Sequence, residues 1–205
     1  DATDLVALNA KVDTFGVDTV TTVTEAAASI GASAVNVTDA ITIVGNTHAV
    51  TITGAIAAAD ANIIANATSG AVTATMSAAT AATIVSGLSN VGVGDTITAE
   101  VTSTTITAAQ LATLVAKVDT LTLTNNTAAI VISGTPATSD VDAIAELTSG
   151  AVTATLTADA AVAATLAAIT NVGAGDTITF TTNDSSADAT DLVALNAKVD
   201  TFGVD

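Results

Sequence analysis

One 18-residue segment occurs twice without a single change, and no other feature constrains the fold of this chain as strongly. The segment DATDLVALNAKVDTFGVD covers residues 1–18 and returns at residues 188–205, an offset of 187 positions. Self-similarity at a fixed period is the sequence signature of repeat architectures. We therefore interpret residues 1–205 as one continuous repeat array, in which residues 188–205 are the start of the next period.

A shorter period lies inside the long one. Residues 41–54 (ITIVGNTHAVTITG) match residues 121–134 (LTLTNNTAAIVISG) at an offset of 80, with apolar and Thr positions in common. Similar matches continue along the chain, so each long period contains two sub-repeats of about 80 residues. The array then divides into an extra repeat turn at residues 13–38, sub-repeat 1 at residues 39–119 and sub-repeat 2 at residues 120–200.

Short runs of alternating residues predict the strands. VTATL, DTITF, LTLT and VTIT place Val, Ile or Leu on one face and Thr on the other, which is the period-two pattern of a half-buried strand. Several successive runs begin about 24 residues apart, which is enough for one strand and one helix. In the second sub-repeat we predict strands near residues 119–124, 129–133, 151–156 and 176–182, with the next strand beginning near Asp200.

Capping signals predict the helices between these strands. Thr107-Ala-Ala-Gln110 is a capping box, and an apolar face with helical spacing follows it (Leu111, Leu114, Val115 and Val118). Ser-Gly at 69–70 and at 149–150 predicts helix ends, because Gly adopts the left-handed cap conformation without a Cβ penalty.

These elements predict an α/β fold, a repeat solenoid of strand–helix units of about 24 residues, with a parallel sheet on one side and helices on the other. A doubly wound open sheet is the competing fold, but its strands are apolar on both faces, unlike the Thr-striped runs of this chain. The neighbouring runs LTLT and IVIS leave two arrangements open. They form either a hairpin or strands of two different sheets.

The composition of the chain argues against several classes of function. The 20 acidic residues outnumber three Lys, for a net charge of −17, which argues against nucleic acid as a partner. No apolar run is long enough to cross a bilayer, so we expect no membrane insertion. We find no nucleophile–base pair, metal quartet or phosphate loop in the sequence, so we expect no enzyme activity and no cofactor.

Three groups of residues are candidates for binding chemistry. The single His, His48, lies in a turn pattern and is interpreted as a solvent-exposed turn residue. Gly92–Asp95 and Gly173–Asp176 are similar to the calcium-binding repeats of β-roll proteins, although a Gly-assisted turn into a strand also explains them. A third cluster offers carboxylates for calcium, or for capping a helix N-terminus (Asp184, Asp188 and Asp191).

Pairs of threonines separated by one residue predict a face for interactions. On stacked parallel strands such pairs form a flat ladder of hydroxyls and methyls, which resembles the ice-binding faces of solenoid antifreeze proteins. The alternatives are a solvated strand face and a face that packs against a neighbouring chain. The predicted face consists of Thr51, Thr53, Thr73, Thr75, Thr96, Thr98, Thr122, Thr124, Thr153, Thr155, Thr177 and Thr179.

The segments GAVTATLTADAAVAATLAAITN and ITAAQLATLVAKVDT resemble the Ala/Thr/Val-rich tandem repeats of giant bacterial, cyanobacterial-type cell-surface proteins. The resemblance covers the whole chain and rests on repeat style. It implies an extracellular or cell-surface location and a structural role in a filament, sheath or coat, with copies of the repeat associating end to end or laterally. The alternative is a binding module, either a calcium-stabilised adhesin or an ice binder.

Overall fold

The computed structural model of this chain describes residues 1–12, 16–17, 19–156, 161–182, 184 and 186–204. Within these residues the fold is α/β. The helices are α1 (Ala2–Asn9), α2 (Val35–Val44), α3 (Ala58–Ala67), α4 (Ala81–Ser86), α5 (Ala108–Lys117), α6 (Thr138–Leu147), α7 (Val162–Ala168) and α8 (Ala189–Asn196). The strands are β1 (Thr22–Ala26), β2 (Ala49–Ile56), β3 (Val72–Met76), β4 (Thr96–Val101), β5 (Thr105–Thr107), β6 (Thr120–Leu123), β7 (Ile130–Ser133), β8 (Val152–Leu156), β9 (Thr177–Thr182) and β10 (Thr201–Val204).

The strands form two five-stranded parallel sheets, and the chain divides into two compact units. Unit 1 consists of Asp1–Glu100 and Lys117–Leu121, and unit 2 consists of Val101–Ala116 and Thr122–Asp205. The first sheet has the order β1-β2-β3-β4-β6 and the second the order β5-β7-β8-β9-β10. Within both sheets, neighbouring strands follow one another along the chain with a helix between them, as parallel pairing requires.

The strand spacing confirms the predicted period of about 24 residues. In the first sheet β2, β3, β4 and β6 begin at residues 49, 72, 96 and 120, and in the second sheet β7 to β10 begin at 130, 152, 177 and 201. The four strands predicted in the second sub-repeat, and the start of the next strand, are present within one residue of their predicted positions. Of the two open arrangements for LTLT and IVIS, the hairpin is excluded because β6 and β7 belong to different sheets.

Alternation along the strands separates a buried face from an exposed one. In β3, Val72, Ala74 and Met76 are buried while Thr73 and Thr75 are exposed. Strand β8 of unit 2 has the same alternation, except that its first Thr is half-buried. Helix side chains cover the buried faces, and several of them are completely inaccessible to solvent (Ile64 of α3, Ile84 of α4, Leu111 and Leu114 of α5, Ile144 of α6). Within the described ranges, no helix combines the length and the apolar character needed to cross a membrane.

The capping box before α5 is confirmed. The Thr107 hydroxyl accepts a hydrogen bond from the Gln110 N–H at 3.2 Å, and the Gln110 side chain accepts one from the Thr107 N–H at 3.0 Å. The apolar face behind it is narrower than predicted. Leu111 and Leu114 are fully buried, but Val115 remains 38% exposed because it lies at the border of the buried stripe.

The predicted role of glycine at two helix ends is wrong. Neither Gly70 nor Gly150 has a positive φ, and α3 and α6 end in extended Thr caps instead. A Cβ at Gly70 would overlap the carbonyl group of His48, and a Cβ at Gly150 would overlap that of Ala128. Glycine is therefore required at both positions, because the backbone there passes close to the backbone of the turn that precedes the neighbouring strand.

The 80-residue match breaks down at its first residues. Residues 121–123 lie in β6, but the matching residues 41–43 lie in the last turn of α2. In α2 the side chains of Val37, Ala40 and Ile41 are buried on one side of the helix. A short apolar run can form either a helix or a strand. Here ITIV continues the buried stripe that begins earlier in α2, so these residues are helical.

Candidate functional site

Threonine side chains form one continuous row across four strands of the first sheet. Thr24 of β1 pairs with Thr51, Thr51 pairs with Thr73, and Thr73 pairs with Thr96. All four are exposed or half-buried. Because neighbouring strands lie about 4.8 Å apart, the row presents hydroxyls and methyls at about that repeat distance. Thr24 belongs to this row although the sequence patterns did not include it.

A β-bulge interrupts the second row of the same sheet. The register shifts beside Gly54, which has a φ of +91°. As a result Ala55, and not Thr53, lies opposite Thr75, and Thr75 in turn pairs with Thr98. The expected ladder of two parallel threonine rows is therefore continuous in its first row and broken in its second.

The second sheet carries a similar face with one substitution. Thr105, Val131, Thr153 and Thr177 pair in that order, so a valine, 43% exposed, stands within the first row. The second row is formed by Thr155, Thr179 and Thr201, which pair in that order. This face is uncharged, and its side chains offer both donors and methyl groups to water or to a packed surface.

All twelve threonines of the predicted face are exposed or half-buried. Those exposed are Thr53, Thr73, Thr75, Thr96, Thr122, Thr124, Thr155 and Thr177, and those half-buried are Thr51, Thr98, Thr153 and Thr179. The structure therefore places each of them on the solvent side of its sheet or, for Thr124, directly after a strand. Within each sheet it brings most of them into rows.

The Gly-Asp turns use their aspartates as bridges to the neighbouring strand. Asp95 accepts hydrogen bonds from the N–H groups of Val72 and Gly92, both at 2.7 Å. Asp176 makes the equivalent bonds in unit 2, at 2.7 and 2.9 Å. Each carboxylate oxygen thus binds one backbone N–H. This geometry favours the interpretation of these motifs as turns into strands.

A second pair of bridging aspartates was not recognised in the sequence. Asp119 accepts from the Ile97 N–H at 2.8 Å and its own N–H donates to the Ile97 carbonyl at 2.9 Å. Asp200 and Ile178 form the same two bonds at 3.1 and 2.9 Å. The available signal was the motif Lys-Val-Asp-Thr, whose Thr is the first residue of β6 and again of β10.

Lys117 and Lys198 of this motif bind backbone carbonyls 26 to 29 residues earlier in the sequence. Lys117 Nζ donates to the carbonyls of Leu88 and Val91 at 2.7 and 2.9 Å. Lys198 Nζ donates to those of Ile169 and Val172 at 2.7 and 3.4 Å. Each ammonium group therefore satisfies carbonyls that follow the preceding helix, a position where a cation is favourable.

Another clamp joins α6 to the loop after α7. The Asp142 carboxylate accepts four hydrogen bonds, of which the shortest is 2.6 Å from the Asn171 N–H. Burial alone raises the pKa of Asp142, but the hydrogen bonds from Asn171, Thr170 and Val172 outweigh it and lower the pKa. In unit 1 the amide oxygen of Asn62 occupies the matching position and accepts from Ser89 and Asn90.

Shallow depressions lie at the two Gly-Asp turns. One of about 240 Å³ is lined by residues that include Ser69, Asn90 and Asp95, and its counterpart in unit 2, of about 210 Å³, includes Ser149, Asn171 and Asp176. The aspartate oxygens in both are already bound by N–H donors, as described above. These depressions therefore follow from the packing of consecutive turns.

The three calcium candidates serve different local contacts. Asp184 accepts from the N–H groups of Val162 and Ser186 at 3.2 and 3.1 Å. Asp188 caps α8, and hydrogen bonds led by that from the Thr190 N–H lower its pKa. Asp191 lies in the first turn of α8. Across the described residues, no three His, Cys, Asp or Glu side chains are grouped so that they could hold a metal ion.

His48 lies in a turn, as predicted, but it is half-buried where full exposure was expected. Its ring Nδ1 lies 3.0 Å from the carbonyl oxygen of Gly45. The His48 carbonyl accepts a hydrogen bond from the Thr68 hydroxyl at 2.8 Å. The residue therefore contributes to the contact between consecutive turns.

The described residues thus present two threonine faces and a set of side-chain clamps between neighbouring strands and helices. The clamps use Asp, Asn and Lys side chains on backbone groups 22 to 30 residues away in sequence. The threonine faces remain open to solvent. No protein-family model, curated protein or solved structure matches this chain.

Proposed function

We propose that this chain is a structural repeat unit of an extracellular or cell-surface filament, sheath or coat protein, and that it does not catalyse a reaction. The observation that carries the proposal is that its aspartate side chains bind backbone groups of neighbouring strands. Asp95, Asp119, Asp176 and Asp200 all bind backbone N–H groups of the preceding strand. Side chains committed in this way stabilise the stacking of repeats. The similarity in repeat style to giant surface proteins points the same way.

The proposed architecture is a solenoid in which each strand–helix unit of about 24 residues stacks on the previous one. Neighbouring strands in both sheets are parallel and follow one another in sequence order, which supports this arrangement. Contacts restricted to neighbouring repeats allow an array to grow without limit. We further propose that copies of the repeat associate with one another, end to end or laterally.

Location and assembly are tested together on native material. Antibodies against the chain, detected by immunogold electron microscopy of intact cells, are expected to label continuous fibres or a lattice outside the cell. An antibody against an abundant cytoplasmic protein serves as the control for lysed cells. Label confined to the cell interior would overturn the proposal.

A second candidate function, binding to ice, is favoured by one observation. The row Thr24, Thr51, Thr73 and Thr96 is in register across four strands and open to solvent. If this face and its counterpart in unit 2 bind ice, the wild-type chain shows thermal hysteresis, and Thr73→Tyr with Thr153→Tyr abolishes it because a bulky ring disrupts a flat face. An Asp39→Ala variant, changed at an exposed position in α2, is the matched control. Absence of hysteresis in the wild-type chain excludes this function.

A further inference from the structure

Four tripeptides in this chain have the acceptor sequence, or sequon, of N-linked glycosylation, which is Asn-X-Ser/Thr. They begin at Asn36, Asn66, Asn125 and Asn183. An oligosaccharyltransferase binds the asparagine together with the hydroxyl two residues later, so in a folded chain both groups must be accessible on a surface loop. The first three sequons can be compared in the structure, while Asn183 lies outside the described residues.

The sequon at Asn36 is held within the fold. Asn36 lies in the first turn of α2 and is half-buried, and its Nδ2 donates a hydrogen bond to the Ser29 carbonyl at 2.6 Å. The Thr38 hydroxyl donates to the Val35 carbonyl at 3.0 Å. Both groups that a transferase has to bind are therefore engaged, and the backbone between them is helical.

The sequon at Asn66 presents its asparagine but not its hydroxyl. Asn66 is exposed in the last turn of α3. Thr68 is half-buried, and its hydroxyl donates to the carbonyls of Asn46 and His48 at 2.9 and 2.8 Å. An enzyme that bound this hydroxyl would have to break the contact between consecutive turns.

The sequon at Asn125 is fully accessible. It lies in unit 2, in the six-residue connection from 124 to 129 that leads into β7, and Asn125, Asn126 and Thr127 are all exposed. Asn125 Oδ1 accepts hydrogen bonds from Thr127 Oγ1 at 2.8 Å and from the Thr127 N–H at 3.2 Å. This Asx-turn places the carboxamide and the hydroxyl side by side on the surface.

The turn is anchored through its backbone. The Asn126 carbonyl accepts hydrogen bonds from the Thr148 hydroxyl at 3.0 Å and from the Ser149 N–H at 2.7 Å. In the described part of the chain, the Asn125 and Thr127 side chains hydrogen-bond only within their own sequon. A sugar attached to Asn125 Nδ2 therefore displaces no contact that holds the turn against the rest of unit 2.

We propose that Asn125 is an acceptor of an N-linked glycan. The donor is an oligosaccharide linked to a membrane lipid through pyrophosphate. Asn125 Nδ2 forms a bond to the anomeric carbon of the first sugar and loses one proton, while the bond from that carbon to the pyrophosphate breaks and the lipid pyrophosphate leaves. Glycan transfer takes place outside the cytoplasm, so this inference rests on the extracellular or cell-surface location proposed above.

The positions of the glutamates allow this site to be tested by itself. A protease that cuts after Glu releases residues 101–146, because Glu100 and Glu146 are consecutive glutamates, and this segment contains only the sequon at Asn125. The folded chain is incubated with a lipid-pyrophosphate-linked oligosaccharide and a purified oligosaccharyltransferase that requires only Asn-X-Ser/Thr. Mass spectrometry of the digest is expected to show residues 101–146 heavier by one oligosaccharide.

The segment from 26 to 100 is the internal comparison, because it contains the sequons at Asn36 and Asn66. It is expected to keep its unmodified mass in the folded chain and to gain mass as an isolated, unfolded peptide. This difference would show that the fold, and not the sequence, selects the acceptor.

Three single variants of the exposed turn identify the groups that matter. Asn125→Gln and Thr127→Ala are each expected to abolish the gain in mass, because the first removes the acceptor and the second removes the hydroxyl that the enzyme binds. Asn126→Gln, in the same turn, is the matched control and is expected to retain it. Thermal melting followed by circular dichroism verifies that all three variants fold.

An unmodified 101–146 segment in the folded chain would overturn the inference, as would a modification that persists in Thr127→Ala. A short Asn-X-Thr peptide in the same reaction confirms that the enzyme is active. Protein isolated from its own cells is expected to carry the glycan on the same segment, and an unmodified native segment would also overturn the inference. The transferase reaction does not depend on cellular location, so its failure leaves the proposed function to be decided by the immunogold labelling.

Discussion

At the scale of single residues, the aspartate of each Gly-Asp turn accepts hydrogen bonds from two backbone N–H groups. Asp95 shows this most clearly, because it binds the N–H of Val72, a residue only 1% exposed, and the N–H of Gly92. A buried donor without an acceptor costs more than a hydrogen bond gains. The aspartates therefore stabilise the interface between consecutive strands through backbone groups that no apolar contact satisfies.

Asp95→Ala and Asp176→Ala are expected to lower the free energy of unfolding by about 2–3 kcal/mol each, because each removes a charged acceptor from two N–H groups. Urea unfolding followed by circular dichroism measures the change. Asp95→Asn keeps one acceptor oxygen and is expected to cost less. A loss within about 0.5 kcal/mol for both alanine variants, the range of ordinary surface substitutions, would contradict the assigned role.

Because of Glu25, the stability of unit 1 is expected to depend on pH. The carboxylate is 4% exposed. Burial raises its pKa, but hydrogen bonds from the Thr3 hydroxyl, the Thr3 N–H and the Ala26 N–H outweigh burial, so the pKa is lowered overall. A lowered folded-state pKa means that the unfolded chain binds more protons, so the stabilisation is present above the ordinary pKa of about 4.3 and is lost as the pH falls through the folded-state value.

We therefore expect Glu25→Gln to lower the melting temperature at pH 7 and to have progressively less effect as the pH falls below about 4.3. Asp140→Asn is the control of opposite sign, because burial, opposed by a Ser139 hydrogen bond, raises the pKa of Asp140. Any contribution of the Asp140 carboxyl group to stability is therefore lost as the pH rises, and the Asp140→Asn substitution is expected to leave stability at pH 7 unchanged or to increase it. A Glu25→Gln effect that is equal at pH 3 and pH 7 would contradict the linkage.

At the scale of elements, the Lys-Val-Asp motifs before β6 and β10 bind backbone groups that lie earlier in the sequence. Lysines at matching positions allow a comparison within one sequence context. Lys198 and Lys117 bind carbonyls 29 residues earlier in the sequence, whereas Lys11, in the identical segment at residues 1–18, is exposed. Lys11 and Lys198 each follow a helix of the same sequence, α1 or α8, so the surroundings decide what the ammonium group contributes.

Lys117→Met and Lys198→Met are expected to destabilise the fold by about 2 kcal/mol each, because Met keeps the apolar stem but leaves the bound carbonyls without their charged donor. Lys11→Met, in the identical segment, is expected to change stability by less than about 0.5 kcal/mol. Denaturant unfolding of the three variants provides the comparison. Equal effects at Lys11 and Lys198 would show that the lysine acts through the helix that it follows and not through the carbonyls that Lys198 binds after α7.

The turn between α6 and β8 depends on the close approach of Gly150 to the carbonyl of Ala128. Gly150→Ala and its counterpart Gly70→Ala are expected to destabilise by about 2–3 kcal/mol, because the methyl group displaces backbone that cannot move independently. Gly173→Ala is the matched control, since nothing lies within 4 Å of the position that its Cβ would take, and it is expected to be neutral. Tolerance of Ala at both turn positions, measured by thermal melting, would refute the close-approach explanation.

At the scale of the whole molecule, the net charge of −17 acts on all contacts at once. Like charges repel in the compact state, and salt screens them over about 10 Å at 0.1 M ionic strength. Added NaCl is therefore expected to raise the melting temperature. The same repulsion opposes association between copies, so the association proposed above is expected to strengthen with salt.

We expect calcium to change the stability of the chain only by screening its net negative charge. A specific ion at a hundredfold excess over its Kd adds about 2.7 kcal/mol, which corresponds to roughly 5 °C or more in a chain of this size. We expect melting temperatures in CaCl₂ and in MgCl₂ of equal concentration to agree, and a chelator to leave the melting temperature unchanged. A rise specific to Ca²⁺ would support the alternative of a calcium-stabilised adhesin, with Asp184, Asp188 and Asp191 as the first residues to mutate.

The sequence by itself determined the local features. Alternating Val and Thr place one face of each strand toward the core, the capping box starts α5, and the period of about 24 residues spaces the parallel strands. The alternation and the capping box depend on residues within a few positions of one another, where side-chain periodicity and capping chemistry act directly. The period is visible because similar segments recur along the same sequence. The threonine faces were predictable for the same reason.

Only the tertiary structure decided which contacts each local pattern makes. ITIV ends a helix while LTLT forms β6, the bulge at Gly54 breaks one threonine row, and β6 and β7 join different sheets. The repeated segment shows the cause most directly, because Leu8 is exposed and Leu195 is buried in the same 18 residues. A strand needs a neighbouring edge and a helix face needs a covering surface, and those partners lie far away in sequence.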